Sequence, residues 1–393
     1  MILLWHSNCS HKTTSSLYLG LEWELKGGSL VCPQFGTSKR AIPFPVLSRL
    51  DWSKSMILRR CLEAYLTQGS RIWRHLPASW RLRSVGLVYG RHLHSLVCRY
   101  SRRTQSHGTY FLRNRSELEL ICRLLKRKAL GASLDISVLA CSKGAEVYSM
   151  MWAIRTARPD LRVSMRAVDI SQEILDFAEE GVYSLKTFDC LKPFDRKSMT
   201  EEAKLAWNTC RDQPPQNMSI FQRMSEREME AIFDRKGNRA EVKSCLKAGI
   251  TWQLGDATSP QLIHTLGPQE IVVANRFLCH MERSVAESCL RNISGLVKPG
   301  GYIFVSGVDL DVRTRIAREK GWKPVTDLLG ETHDGDVSLR DGWPLEWWGL
   351  EPLCEDRSDW EIRYASVFQI GEAPSSQCDT APTQVLESSR QVR

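Results

Sequence analysis

Four short stretches of this chain carry residues whose types and spacing suit the holding of a nucleoside. Ala140-Cys141-Ser142-Lys143-Gly144-Ala145-Glu146 sets small residues and one Gly just before a helical pattern, which lets backbone approach a ligand. Asp169 stands roughly 25 residues beyond that turn, where an acidic side chain can accept both hydroxyls of a ribose. Gly255-Asp256-Ala257 offers a carboxylate to an exocyclic adenine amine, and Asn275-Arg276 stands where the reacting end of a nucleoside cofactor would lie. Singly, each has an ordinary explanation: Asp169 and Asp256 as helix caps, Gly144 as a turn, Asn275 as a partner for loop backbone. Together and in this order they point to an adenosine-containing cofactor. No GxGxxG is present to cradle a dinucleotide pyrophosphate, which places S-adenosylmethionine (SAM) ahead of NAD.

Residues that converge in this way must sit at the carboxyl ends of parallel strands, where an open α/β sheet binds its ligands. From Asp135 onward short apolar runs alternate with amphipathic stretches, as such a sheet requires. Ile136 to Ala140 reads as a first strand, Val147 to Ala157 as a helix, Arg162 to Val168 as a second strand and Gln172 to Glu180 as a helix. The sheet resumes with strands at Thr251 to Leu254 and Glu270 to Ala274, a helix at Ser284 to Leu296, a strand at Tyr302 to Val308 and a last apolar run at Tyr364 to Ile370. Lys298-Pro299-Gly300-Gly301 is a turn signal. The predicted class is a doubly wound, Rossmann-like α/β sheet spanning 131–370, with a polar insertion at about 184–250 whose stretches Glu201 to Trp207 and Ser225 to Phe233 read as helical and whose 212–216 reads as a turn.

The rest of the chain bounds the function. Its 393 residues are 42% hydrophobic and 25% charged, which excludes collagenous, coiled-coil and wholly disordered classes. A formal charge of +9 favours acidic partners, and residues 46–130 concentrate arginines on a helical pattern. Sparse aromatic interleaving and the lack of a recognition motif there argue against nucleic acid. Thirteen cysteines without a CxxC pair or a nearby His cluster read as reduced thiols, with no metal site expected. No run approaches the ~20 apolar residues of a membrane helix, so no membrane insertion is expected and a cytoplasmic location is. Residues 1–45 read as a weakly ordered segment and 371–393 as a disordered tail.

Over about Gly108 to Gly307 the chain resembles the CheR-type methyltransferases, class I SAM-dependent enzymes that methylate glutamate carboxylates of chemotaxis receptors. LACSKGAEVYSM is similar to the family's first-strand motif and VDISQEILDFAEEGVYS to its second, with Ala178, Gly181 and Tyr183 trailing. LVKPGGYIFVSG resembles the Pro-Gly-Gly turn shared by class I methyltransferases, and Thr109-Tyr110-Phe111-Leu112-Arg113 is similar to the family's Thr-x-Phe-Phe-Arg. The resemblance implies a class I methyltransferase fold with an N-terminal helical domain at 46–130 and an inserted subdomain. It also implies cofactor contacts for Thr109, Arg113, Glu146, Asp169, Asp256, Ala257, Asn275 and Arg276, and a protein substrate such as a receptor or signalling protein.

The sequence departs from the family pattern at several of these places. One acid, Glu146, stands where the family has two; Asn275-Arg276 replaces Arg-Asn; His107 replaces Asn; and His280 replaces a substrate-side Tyr. Methyl transfer from a sulfonium is an in-line displacement that asks mainly for positioning. A carboxylate acceptor is already ionised at neutral pH and needs orientation by Arg113 or Arg276. An amine, thiol or hydroxyl must lose a proton, for which His280 is the nearest candidate, so Arg113 and His280 are the expected catalytic residues. Three alternatives stay open: a non-carboxylate or small-molecule acceptor, a regulatory domain that binds SAM without turnover, and a dinucleotide-dependent oxidoreductase.

Overall fold

The computed structural model describes residues 24–26, 29–31, 56–101, 103, 105, 107–185 and 220–371. The chain divides into two units, Met1–Tyr65 and Leu66–Arg393. In the first, β1 (Glu24–Lys26) and β2 (Ser29–Val31) form an antiparallel hairpin with Glu24 opposite Val31, where the sequence reading expects no element. The predicted helix at Glu201 to Trp207, the 212–216 turn and the tail beyond Gly371 lie outside the described residues.

A run of helices comes next: α1 (Met56–His75), α2 (Ala78–Arg81), α3 (Ser84–Tyr100) and α4 (Arg115–Leu125). Asn114 caps α4, its side chain accepting from the Glu117 N–H at 3.2 Å. The core then alternates β3 (Ser133–Leu139), α5 (Ala145–Ala157), β4 (Arg162–Asp169) and α6 (Gln172–Glu180). These follow the predicted elements closely, because buried parallel strands read as apolar runs and their crossover helices as amphipathic stretches.

The insertion is where the sequence reading departs furthest. It holds β5 (Val182–Ser184), α7 (Glu226–Ile232), β6 (Phe233–Lys236), β7 (Arg239–Val242) and α8 (Ser244–Lys247). The helix expected at Ser225 to Phe233 is present, started by a reciprocal capping box between Ser225 and Glu228. The strands come as a correction to a helical reading: β5, β7 and β6 form an antiparallel sheet in that order. Lys236 pairs with Arg239 across the two-residue loop Gly237-Asn238, and Gly237 takes φ +60°. That Gly-Asn pair is the hairpin signal that outweighs the polar composition.

The main sheet continues with β8 (Ile250–Leu254), α9 (Gln261–Leu266), β9 (Gln269–Val273), α10 (Arg283–Ser294) and β10 (Val297–Phe304). It closes with α11 (Leu310–Glu319), β11 (Lys323–Pro324), α12 (Leu329–Gly335), α13 (Val337–Gly342), α14 (Trp360–Tyr364) and β12 (Val367–Gln369). The Pro-Gly-Gly turn proves to be a register shift inside β10, between Val297 and Tyr302. Tyr364, read as the start of a strand, instead ends α14.

Strand order is β11-β12-β10-β9-β3-β4-β8. Pairs from β10 through β8 are parallel, whereas β12 runs antiparallel to β10 and β11 antiparallel to β12. This is a doubly wound, Rossmann-like α/β sheet, and the order reverses between β3 and β9. Its two faces bury separate apolar clusters, one with Ile136 and Val138 of β3, the other with Leu139, Val168 and Val272. The helical segment packs within the same unit: Trp73 and Leu93 bury against Trp343, and Val97 against Cys279 and Trp347.

Candidate active site at the strand ends

A cavity of about 280 Å³ opens at the carboxyl ends of β3, β4, β8 and β9, around the switch point where such sheets bind ligands. Thr109, Arg113, Glu146, Asp169, Asp256, Ala257, Asn275, Arg276 and His280 all line it. Thr109 and Arg113 precede β3 in the chain and reach the wall beside the end of that strand.

The loop after β3 has an unusual backbone. Ala140 (φ +52°), Ser142 (φ +50°) and Gly144 (φ +78°) are left-handed in alternation, as is Arg276 (φ +64°) on the cavity lining, while Leu112 (φ +51°) takes the same conformation in the core beside Arg113. Gly144 is doubly required, because a Cβ there would also come within 3.0 Å of the Trp252 ring. Asp169 is 4% exposed and ties this loop to β4. Its Oδ2 accepts from the Ser142 N–H at 2.8 Å and its Oδ1 from the Ser171 N–H at 3.2 Å. Each oxygen keeps a second lone pair for a ligand hydroxyl. Asp256 closes its own turn, accepting from the Thr258 N–H and hydroxyl, both at 2.8 Å. Ile170, exposed and apolar, lines the cavity beside Asp169.

Charge is concentrated around Asp336, which two of the cavity-lining arginines reach. Asp336, 3% exposed and just before α13, receives three guanidinium groups: Arg276 at 3.4 Å, Arg223 at 3.7 Å and Arg113 at 3.8 Å. Burial alone would raise the Asp336 carboxyl, but Arg276, Arg113 and Arg223 together hold it below the usual carboxylate range. Burial, with Arg276 alongside, pulls Arg113 down to about 10, so it stays cationic at neutral pH. Arg113 also lies over the Tyr110 ring at 4.9 Å, and Arg223 lies 5.2 Å from the same ring. The Nη1 atoms of Arg113 and Arg276 are buried and have no hydrogen-bond acceptor. Both lie at ion-pair distance from Asp336, while the two side chains also line the cavity.

Asn275 is fully engaged. Its Nδ2 donates to Glu117 Oε1 at 2.6 Å and to Glu146 Oε1 at 2.8 Å, while its Oδ1 accepts from the Ser306 N–H at 2.9 Å. The second acid that the sequence lacks beside Glu146 is thus present in space, supplied by α4. His280 lies in a 3-10 turn after β9, with its ring edge-on to Trp347 at 6.4 Å between centroids.

Sequence reasoning missed Glu117, Arg223 and Asp336. Glu117 stands three and four residues before the buried Leu120 and Ile121, so its place on the apolar stripe of α4 is a usable signal. Asp336 caps α13 through the Ser338 N–H and hydroxyl, and in sequence it looks like any capping residue.

Residues 107–211 match the family described as CheR methyltransferase, SAM binding domain. A curated relative, chemotaxis protein methyltransferase 1 of Pseudomonas aeruginosa, is 24% identical over 182 residues, covering 44% of this chain and 54% of that protein. The chain therefore spans about half the length of the curated relative it matches. Solved structures that align include a magnesium protoporphyrin IX methyltransferase from Synechocystis with bound SAM (12% identity, TM-score 0.28, 54% of this chain and 70% of that one). An O-methyltransferase family protein from Burkholderia thailandensis aligns at 11% identity and TM-score 0.30, over 81% of this chain and 70% of that one. Residues 107–211 are thus similar to a CheR-type SAM-binding domain.

Proposed function

We propose that the protein is a SAM-dependent methyltransferase, working in the cytoplasm, that esterifies a carboxylate on a protein substrate such as a receptor or signalling protein. One observation carries this reading: Arg113 and Arg276, from two separate segments, both line the strand-end cavity in a chain whose residues 107–211 match a CheR-type SAM-binding domain. The donors and acceptors present fit the cofactor. In this reading Asp169 takes the ribose, Asp256 and Ala257 take the adenine beside the apolar Ile170, and Glu146 takes the ammonium end, with Thr109 also on the lining.

When bound, SAM supplies a methyl group on a sulfonium, open to in-line displacement. Arg113 and Arg276 orient the acceptor carboxylate, which is ionised at neutral pH and needs no base. His280 then acts as a wall residue packed on Trp347. The resemblance implies a small receptor-docking β-subdomain where this insertion stands, and the insertion's three-stranded antiparallel sheet supports a protein substrate. Among the described residues no helix is long and apolar enough to cross a membrane, which accords with a substrate reached from the aqueous side.

Calorimetric titration with SAM and with NAD tests the cofactor, and SAM alone should bind. Labelled-methyl transfer to a cell lysate then tests the acceptor: the label should leave as methanol on mild alkali, as a methyl ester does. An alkali-stable label would overturn the carboxylate acceptor and move His280 into the role of base.

A further inference from the structure

We infer that Glu117 is a positioning residue of the cofactor site: with Glu146 it forms a carboxylate pair that holds one proton across Asn275 and releases it to solvent when the ammonium end of SAM arrives. This rests on the SAM reading above and goes beyond it, since neither the resemblance nor the family match assigns Glu117 a role.

The geometry carries the argument. Glu117 is 6% exposed, on the apolar face of α4, and shares a small cavity with Glu146, Arg113, Asn275 and Asp336 directly behind the main one. Of the two acids only Glu146 lines the main cavity. Neither has a cationic partner within 4.0 Å among the described residues; what joins them is one neutral amide whose two N–H bonds and one oxygen are all committed. Two buried carboxylates on a neutral clamp resist ionising together, because no cation among the described residues stands within ion-pair reach of either to offset the second charge.

The groups facing the pair come from every element around it. Arg113 before α4 and Arg276 after β9 favour ionisation of the pair, while Asp336 before α13 opposes it; Arg223 from the insertion is spent on Asp336. The balance stays on the side of protonation: burial, then the Glu146 charge, lifts Glu117 to about 8, and burial lifts Glu146 as well. A cation at Glu146 supplies the missing countercharge. The proton on Glu117 then leaves, the cofactor's ammonium keeps its own protons, and no covalent bond changes.

The test is calorimetry of SAM binding to the full chain near pH 7, in buffers of different ionisation enthalpy, for the wild type and Glu117→Gln. Gln keeps the acceptor for Asn275 and removes the proton. The wild type should release more protons than the variant, by a difference approaching one, with protonation of the cofactor's own amine cancelling between them. The variant should bind several-fold more weakly, and the ratio of the two affinities should change between about pH 6.5 and 8.5. Equal proton counts and equal pH dependence would overturn the inference. If the variant fails to fold, the wild-type count decides: a net release near about pH 6.5–7, where the cofactor's amine is already protonated, supports the pair, and no release there overturns it. SAM binding without a proton difference leaves the cofactor reading standing and removes this one, whereas no SAM binding by the wild type removes both.

Discussion

The two walls of the cavity hold their shape by different means. On the strand-end wall, Asp169 and Asp256 accept from backbone N–H groups and hydroxyls within their own neighbourhood, and the loop from Ala140 to Gly144 is fixed by its backbone angles. On the arginine side, Arg113 and Arg276 of the lining meet Arg223, which lies outside it, at the Asp336 carboxylate, and each comes from a separate segment. The first wall is local and mostly neutral, while the second is long-range and ionic. A substitution on the first should therefore change ligand affinity with little cost to the fold, and one on the second should unsettle the fold itself.

Asp336→Asn should show the largest effect, because it leaves three clustered guanidinium groups without their counter-ion. Breaking a buried ion pair in this way costs about 3–5 kcal/mol, readable as a lowered urea midpoint. The folded carboxyl titrates below its unfolded value of about 3.9, so its contribution is fully present above that value and disappears as pH falls through the folded one. The gap between wild type and variant should accordingly be widest near neutrality and close under acid; a gap that stays constant down to about pH 3 would deny Asp336 its ionic role.

Asp169→Ala comes next. Loss of the ribose acceptor should weaken SAM binding by about 1.5–3 kcal/mol while circular dichroism stays native. Unchanged affinity would remove the ribose assignment, and a collapsed spectrum would show that the bond to the Ser142 N–H matters more to folding than the comparison of the walls allows. His280→Tyr should have the smallest effect. With a carboxylate acceptor, turnover and SAM affinity should stay within about threefold and the acid limb of the pH–rate profile should persist. Disappearance of that limb would restore a proton-abstracting role to the imidazole.

The same contrast explains what was legible in the sequence. Strand-end residues such as Asp169 and Asn275 can be read because each follows an apolar run whose end fixes its place. The arginine wall could not be read whole: Arg113 and Arg276 were visible by motif, but their meeting at Asp336 depends on the segment from Leu310 to Tyr364, whose short helices carry no long periodicity. Glu117 was passed over because acids on an amphipathic helix normally face water. The insertion's strands were missed because four-residue strands such as Phe-Asp-Arg-Lys lack an apolar alternation, leaving only the Gly-Asn loop to announce them.

The left-handed residues around the cavity bear on how it keeps its form. Ala140, Ser142 and Arg276 each hold a conformation that costs an L-residue on the order of 1–2 kcal/mol, so the rim does not rest at its own local minimum. The seven paired positions between β3 and β4, together with the Cys141 N–H bonded to the Val168 carbonyl at 3.0 Å, impose that shape from below. The rim behaves as a drawn spring anchored in the sheet. Loosening the β3–β4 pairing beside Cys141 and Val168 would release the Ala140–Ser142 turn from the shape that the sheet imposes.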